Sequence, residues 1–384
     1  MTTQIDLNNV LATLGPGFAG RIAELDATDG FVTENYAELK AHKVFSALVP
    51  QELGGGGVSY SELCEFVRGL AHCCSSTALA LSMHSHLVSA AVVNYRAGRP
   101  GKALLEKVVA SEAVLISTGA NDWLESNGDA QKVEGGYKVT AFKPFTSGSP
   151  AGAAFVTSAA YDDPAEGPQV LHFPVPANAE GVVFLDDWAT LGMRATGSQT
   201  VRFDGVFVPD EAVVLKRPRG EYHPVFNIVL TVAMPLIISA YLGTAEAACA
   251  IARDRAANRA GDPVTPFLIG EMENLLATAQ LARDDMVRIN NDLEFAPTQV
   301  TANAILIRKT IAARHVIAAV EKALEATGGA GFFRKTGLER LLRDAHGAQF
   351  HPLPEKRQQL FTGRLAMGLE PVETVVTPMA QAAE

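Results

Sequence analysis

The chain has 384 residues, 48% hydrophobic and 19% charged, a formal net charge of −10 and a sequence pI near 5.5. That length buries a large core and holds two or three structural units, and the acidic balance speaks against nucleic acid and anionic membranes as partners. Four cysteines, two of them adjacent (Cys73, Cys74), with no C-x-x-C pair, make neither a disulfide framework nor a zinc site, so a reduced, cytoplasmic protein without a metal is expected.

The N-terminus lacks a basic-then-apolar signal pattern. Residues 1–115 read as helical. Ser59-Tyr60-Ser61-Glu62 is a capping-box pattern, followed by Leu63, Phe66, Val67 and Leu70 on one face. Ser75 and Ser76 can open another helix, which runs to about Arg96 and is ended by Gly98, Pro100 and Gly101. Between them, VPQELGGGGV at 49–58 is a glycine-rich loop.

From about residue 115 to 215 glycine and proline punctuate short β-rich runs at 137–141, 154–160, 170–175, 181–185 and 200–208, the last broken by Asp204-Gly205. Such strands suggest a small barrel or sandwich, not βαβ units. The helical period then returns, with long helices expected over 225–259, 267–291, 298–327 and 337–349, and Gly328-Gly329-Ala330-Gly331 punctuating the third. Residues 225–245 carry no charge and are long enough to span a bilayer. Pro235 interrupts them, no aromatic and basic belts flank them, and they continue in phase into Glu246, Arg253 and Arg255; a buried core helix is the better reading. The tail 371–384 reads as frayed.

The expected architecture is therefore α+β: an N-terminal helical domain (1–114), a small central β-barrel domain (115–216) and a C-terminal four-helix bundle (217–384). No G-x-S-x-G elbow, Walker A loop or Rossmann fingerprint is present; Gly148-Ser149-Pro150-Ala151-Gly152 has the wrong spacing for the first.

The segment 339–354, ERLLRDAHGAQFHPLP, concentrates the chemistry. Leu338, Leu341, Leu342, Ala345 and Ala348 follow helical spacing, and Glu339/Arg343 and Arg340/Asp344 are spaced as i,i+4 ion pairs. Pro352 and Pro354 then stop the helix and leave His351, a titratable imidazole, at the break.

Specific strings carry a resemblance. LGMRATGSQTVRFDGVFVP at 191–209 resembles the central β-domain block of the acyl-CoA dehydrogenase superfamily of flavoenzymes. Residues 49–57 are similar to that family's VP-x-x-x-GG loop, and 328–344 to its GG-x-G…ER-x-x-RD segment. The likeness covers nearly the whole chain and implies a flavin between the β-domain and the bundle. Thr118, within 116–120, and Phe145-Thr146-Ser147 match the two flavin-contacting β segments; Phe145 stands where tryptophan is usual, beside the equally unusual Pro144. The resemblance sets a neighbouring subunit's Gly328, Gly329 and Gly331 against the cofactor's diphosphate. It implies FAD, with FMN as the alternative, since Glu325 replaces a usual glutamine and the Arg-x-x-Phe contact expected after Arg255 is not legible in 256–267. A homotetramer is implied as well.

The reaction divides two ways. An acyl-CoA dehydrogenase needs a carboxylate base aimed at the thioester's α-carbon. Counting from Arg343-Asp344, the family's usual position holds Pro352; Glu355 lies three residues later, and the other family position, on the first bundle helix, has no acid in 225–245. A related branch, of the dibenzothiophene monooxygenase type, carries an LH-x-P-like string here, which Phe350-His351-Pro352 resembles, together with a histidine from the N-terminal helices. His84 and His86 are candidates that helical phase does not separate. The reading leans to oxygenation by reduced flavin and O2, with a separate flavin reductase as a possible partner. A dehydrogenase acting on an acyl thioester through Glu355 is the alternative, and an inactive flavin-fold binding module, colourless when purified, is a third. Asp122, Trp123 and Glu125 occupy the place of the family's Glu-Pro…Gly-Ser-Asp string, whose loss weakens standard acyl-CoA binding.

Overall fold

The computed structural model describes residues 5–119, 122–259 and 261–372. From residue 373 the tail lies outside them, as does Ala120 of the first flavin-contacting segment. Five helices come first: α1 (Leu7–Thr28), α2 (Thr33–Ala41), α3 (Tyr60–Cys73), α4 (Ser75–Arg96) and α5 (Lys102–Ser111). The Ser59/Glu62 capping box forms at the start of α3. Helix α4 is capped by the Cys74 thiol, which accepts from the Thr77 N–H at 3.4 Å.

Eight strands follow: β1 (Leu115–Ser117), β2 (Asp129–Val133), β3 (Gly136–Lys143), β4 (Ala154–Asp163), β5 (Gly167–Pro176), β6 (Val182–Phe184), β7 (Val201–Pro209) and β8 (Leu215–Pro218). They make one mostly antiparallel sheet in the order β6-β7-β3-β2-β4-β5-β8, with β1 parallel to β4. The end strands do not pair with each other among the described residues, so the expected closed barrel is instead an open sheet. It is nonetheless strongly rolled. Strands β4 and β7 are separated by two others, about 14 Å apart in a flat sheet, yet the Phe155 and Phe203 rings stand 5.5 Å apart. The Asp204-Gly205 pair does not break its strand. It sits at a register shift in the β3–β7 ladder, with Gly205 at φ +65°.

Helices α6 (Val225–Ala257), α7 (Thr265–Asn290) and α8 (Gln299–Thr327) are long; α9 (Leu338–Ala345) is short and passes into a 3-10 turn, His346–Gln349, and α10 (Glu355–Ala366) follows. The expected fourth long helix is thus corrected to a short helix and turn, and α10 is an addition. Pro354, at the N-cap of α10, opens a new helix as well as ending the previous path. Helix α6 passes the length and hydropathy test for a membrane span, but 89% of its most apolar window is buried by protein. It is the central core helix. Its side chains join those of α3, α4, α7 and α8 in one hydrophobic cluster, while a second cluster fills the rolled sheet.

Candidate functional site

His351 is held from three directions. The 3-10 turn after α9 and the two prolines carry the chain across the bundle, leaving carbonyls without helical partners. Lys309, on α8 and 1% exposed, donates to the carbonyls of His351 (2.8 Å) and Leu353 (3.0 Å). Burial pushes its ammonium down to about 8. Tyr241, on α6 and also 1% exposed, places its hydroxyl 2.8 Å from His351 Nε2, with the rings edge-on at 5.3 Å. The imidazole is pushed down to about 3, first by burial, then by the charges of Lys309 and His86. His351 is therefore a neutral imidazole at working pH, which corrects the expectation of a group titrating there.

His86 lies on α4, close enough to His351 for charge on one to be felt at the other. Its Nδ1 is 3.3 Å from the Ser82 carbonyl and burial lowers it to about 4. His84 is different. Its Nε2 meets the Phe45 carbonyl at 2.8 Å and its Nδ1 accepts the Leu115 N–H at 2.9 Å. Both nitrogens are used, so His84 joins α4 to β1 and is corrected to a structural role. Two positions apart on a helix is about 200° of rotation, enough to turn one ring inward to backbone and the other elsewhere.

Glu355 also requires correction. It opens α10, half-buried at the surface, and accepts from Arg314 Nε and a second guanidinium nitrogen at 2.6 Å each, and from Lys356 at 2.9 Å. Those partners hold it down at about 2, a poor base for carbon acids. On α6, Glu246 is bound by Arg68, His72 and Gln280, and Asp254 is exposed. Neither usual base position is filled.

The flavin-facing candidates come from the sheet. Thr118 Oγ1 lies 3.1 Å from Asp122 Oδ2 and 2.8 Å from Thr157 Oγ1. Asp122 in turn pairs with the fully buried Lys143 at 2.8 Å. Phe145 has φ +61° and leaves 51% of its surface exposed, its ring edge-on to Trp188 at 6.0 Å. Thr146 points back into the fold, its N–H (3.2 Å) and hydroxyl (2.6 Å) both donating to the Gln199 carbonyl. Ser147 Oγ is 2.7 Å from Ser198 Oγ, itself 2.6 Å from Thr196 Oγ1. A groove of about 640 Å³ opens alongside, lined by Ser149, Pro150, Phe184 and Gln199 among others. There Ser149 Oγ donates to the Gly197 carbonyl (3.1 Å) and the Gln199 amide to Asp186 Oδ1 (3.1 Å); the exposed Phe145 ring beside it offers the flat apolar wall that fits a heteroaromatic ring such as a flavin's.

The two sides are joined physically. Thr196 Oγ1 donates to the Met193 carbonyl (2.8 Å), and the Met193 N–H donates to Asp344 Oδ1 (2.5 Å). Asp344 is buried and raised to about 6 by loss of water. The expected Arg340/Asp344 ion pair is absent among the described hydrogen-bonded and ion-paired contacts, because Asp344 faces the 191–198 loop. Glu339/Arg343 does form, at 2.7 Å, and Arg343 also binds Asp26 (2.6 Å) and the Leu191 carbonyl (2.8 Å). On the other flank Trp123 packs 4.4 Å from Phe226 of α6, and Tyr222 5.6 Å from Phe361 of α10. That aromatic group touches Leu353, two residues from His351.

Of the glycine run, Gly331 is closed by packing: a Cβ would meet Leu324, Leu338 and Thr327 at 3.0–3.1 Å. Gly328 (φ +69°) and Gly329 remain open to approach. Lys309 and Tyr241 were not singled out by sequence. The available signal was polarity out of place: one tyrosine in the uncharged stretch 225–245 of α6.

Two family models match the chain: the acyl-CoA dehydrogenase N-terminal domain over residues 17–112 and the C-terminal domain over 236–355. Among curated relatives, the amino sugar nitrososynthase DnmZ of Streptomyces peucetius is 28% identical over 83% of this chain and 82% of its own length. Dibenzothiophene monooxygenase of Mycolicibacterium goodii is 26% identical over 86% of each. The solved structure of KijD3 in complex with FMN and a dTDP-linked amino-keto sugar is 26% identical, with a TM-score of 0.85 covering 95% of this chain and 93% of that one. The monooxygenase-like reading is favoured over the alternatives. The chain belongs to the acyl-CoA dehydrogenase superfamily of flavoenzymes.

Proposed function

We propose that this protein is a flavin-dependent monooxygenase that inserts one oxygen atom of O2 into a small organic substrate. One observation carries the reading: where a dehydrogenase would aim a carboxylate, this chain holds a neutral histidine between Tyr241 and Lys309. Bound reduced flavin supplies the two electrons; the second oxygen atom leaves as water. His351 and His86 offer hydrogen-bonding nitrogens to the reacting oxygen and substrate. Phe145, Ser147 and the groove beside them seat the ring, and the buried Tyr241, Lys309 and His86 screen the His351 end of the site from bulk water.

FMN is the proposed flavin. The FMN in the KijD3 complex supports this, as does the closure of Gly331 by its own packing. A homotetramer, a cytoplasmic location and a separate reductase supplying reduced flavin belong to the same proposal. The test is incubation with reduced FMN, ¹⁸O2 and a panel of aromatic thioethers and amino sugars. One ¹⁸O atom should enter a product, and His351→Ala should abolish it while leaving flavin bound. Flavin bleaching by an acyl-CoA thioester without O2 would overturn the reading.

A further inference from the structure

We propose that Tyr241 is a positioning residue that fixes the tautomer of His351, so that His351 presents Nδ1–H as a donor while His86 presents Nε2 as an acceptor. The inference rests on the monooxygenase reading for its catalytic consequence, though the tautomers themselves do not.

The hydrogen-bond inventory leaves one assignment. The Tyr241 hydroxyl is buried, and His351 Nε2 is its sole hydrogen-bond partner among the described residues. A phenol hydrogen in that setting needs an acceptor. If Nε2 carried the ring hydrogen, it would donate to Tyr241 and strand the phenol's own hydrogen. The hydroxyl therefore donates to Nε2, and the single hydrogen of the neutral ring resides on Nδ1. That atom has no partner among the described residues and is not sealed off as an orphan. An imidazolium is disfavoured by burial and by the Lys309 ammonium fixed on the same residue's carbonyl.

For His86 the partner is a carbonyl, Ser82 O, which only accepts. Nδ1 must then be the donor, leaving the Nε2 lone pair free. One ring gives a hydrogen bond and the other receives one, a division neither histidine would hold in water. The local shape maintains it. Gly347 lies against the tyrosine, where a Cβ would sit 2.6 Å from Oη, so the hydroxyl has a fitted seat. His84 supplies an internal contrast: accepting an N–H at Nδ1, it must carry its hydrogen on Nε2.

Solid-state NMR of the full-length protein, labelled with ¹⁵N and ¹³C in its nine histidines and prepared without flavin, reads the tautomers directly. His351 and His86 are expected as Nδ1–H and His84 as Nε2–H, with signals assigned by His→Gln variants. Tyr241→Phe, which keeps the ring, should move His351 alone toward Nε2–H. In turnover with reduced FMN it should cut oxygenated product roughly tenfold at unchanged KM, diverting O2 to hydrogen peroxide. Gly347→Ala, which pushes on the hydroxyl, should do the same; Tyr60→Phe, which deletes another buried hydroxyl bond, should not. An Nε2–H signal for His351 in the wild type, or an Nδ1–H signal surviving in Tyr241→Phe, would overturn the proposal. The expected tautomers without any oxygenated product would leave the assignment standing and remove the monooxygenase reading.

Discussion

His351 draws its character from its neighbours more than from its own chemistry. Two prolines in the sequence mark it, but burial keeps it neutral, Lys309 adds to that, and Tyr241 holds its Nε2; those two residues lie 42 and 110 positions away. Among the described residues Lys309 hydrogen-bonds no carboxylate; its charge is spent on two carbonyls. Lys309→Met should leave both carbonyls unpaired and cost on the order of 3 kcal/mol, read as a lower urea midpoint. It should also raise the pKa of His351, so the acidic limb of the activity profile moves to higher pH. The histidine pair at 84 and 86 shows where sequence stops. Both have apolar neighbours at helical spacing, and the difference between stitch and free ring lies in which backbone groups α4 happens to face. Glu355 could not be dismissed by spacing either. Its retirement depends on Arg314, which α8 brings against the start of α10.

At the scale of elements, the family-like strings at 191–209 and 339–344 turn out to be two halves of one contact. Asp344 holds the Met193 N–H and Arg343 holds the Leu191 carbonyl, while Gly192 has no Cβ because one would run into the Arg343 backbone. Such reciprocal fitting explains why both strings were legible: each is constrained by the other. Asp344→Ala should leave a buried N–H unpaired, costing about 1–3 kcal/mol and loosening flavin binding through the Thr196–Ser198–Ser147 hydroxyl run. Asp344→Asn keeps an acceptor and gives up a carboxylate already raised to about 6 by burial, so it should retain most of the stability; thermal melts of the two variants check this. Strands β2 and β8 were less legible. Strand β2 is largely exposed, and β8, with two charged residues in four, carries no apolar alternation. The short α9 looks longer in the sequence because its apolar spacing persists through the 3-10 turn, where Ala348 is still buried.

Across the whole molecule, one core is shared by the first and last helical segments, with α6 threaded through it and the rolled sheet packed alongside. That sharing was not visible in a pattern that reads each segment separately. It also buries basic groups. His84 and His86 are lowered to about 4, and His172 and His351 to about 3, each chiefly by burial. Unfolded, all four would take up protons near 6.5. Between about pH 6.5 and 4 the unfolded chain thus binds more protons than the native one, so stability must fall as pH falls. Asp344, raised to about 6, opposes this with a single proton. Urea midpoints at pH 5 should lie clearly below those at pH 7.5, with part of the gap closed in His84→Gln.

A neutral histidine, not a carboxylate, is proposed to work just past the 3-10 turn that follows α9. Rapid mixing of the anaerobically reduced FMN-bound protein with O2, without substrate, tests it most directly. Reoxidation is expected in two phases separated by a long-lived species, collapsing to one fast phase in His351→Ala. Single-phase reoxidation identical in both proteins, together with anaerobic bleaching of the oxidised flavin by an acyl-CoA thioester, would contradict it.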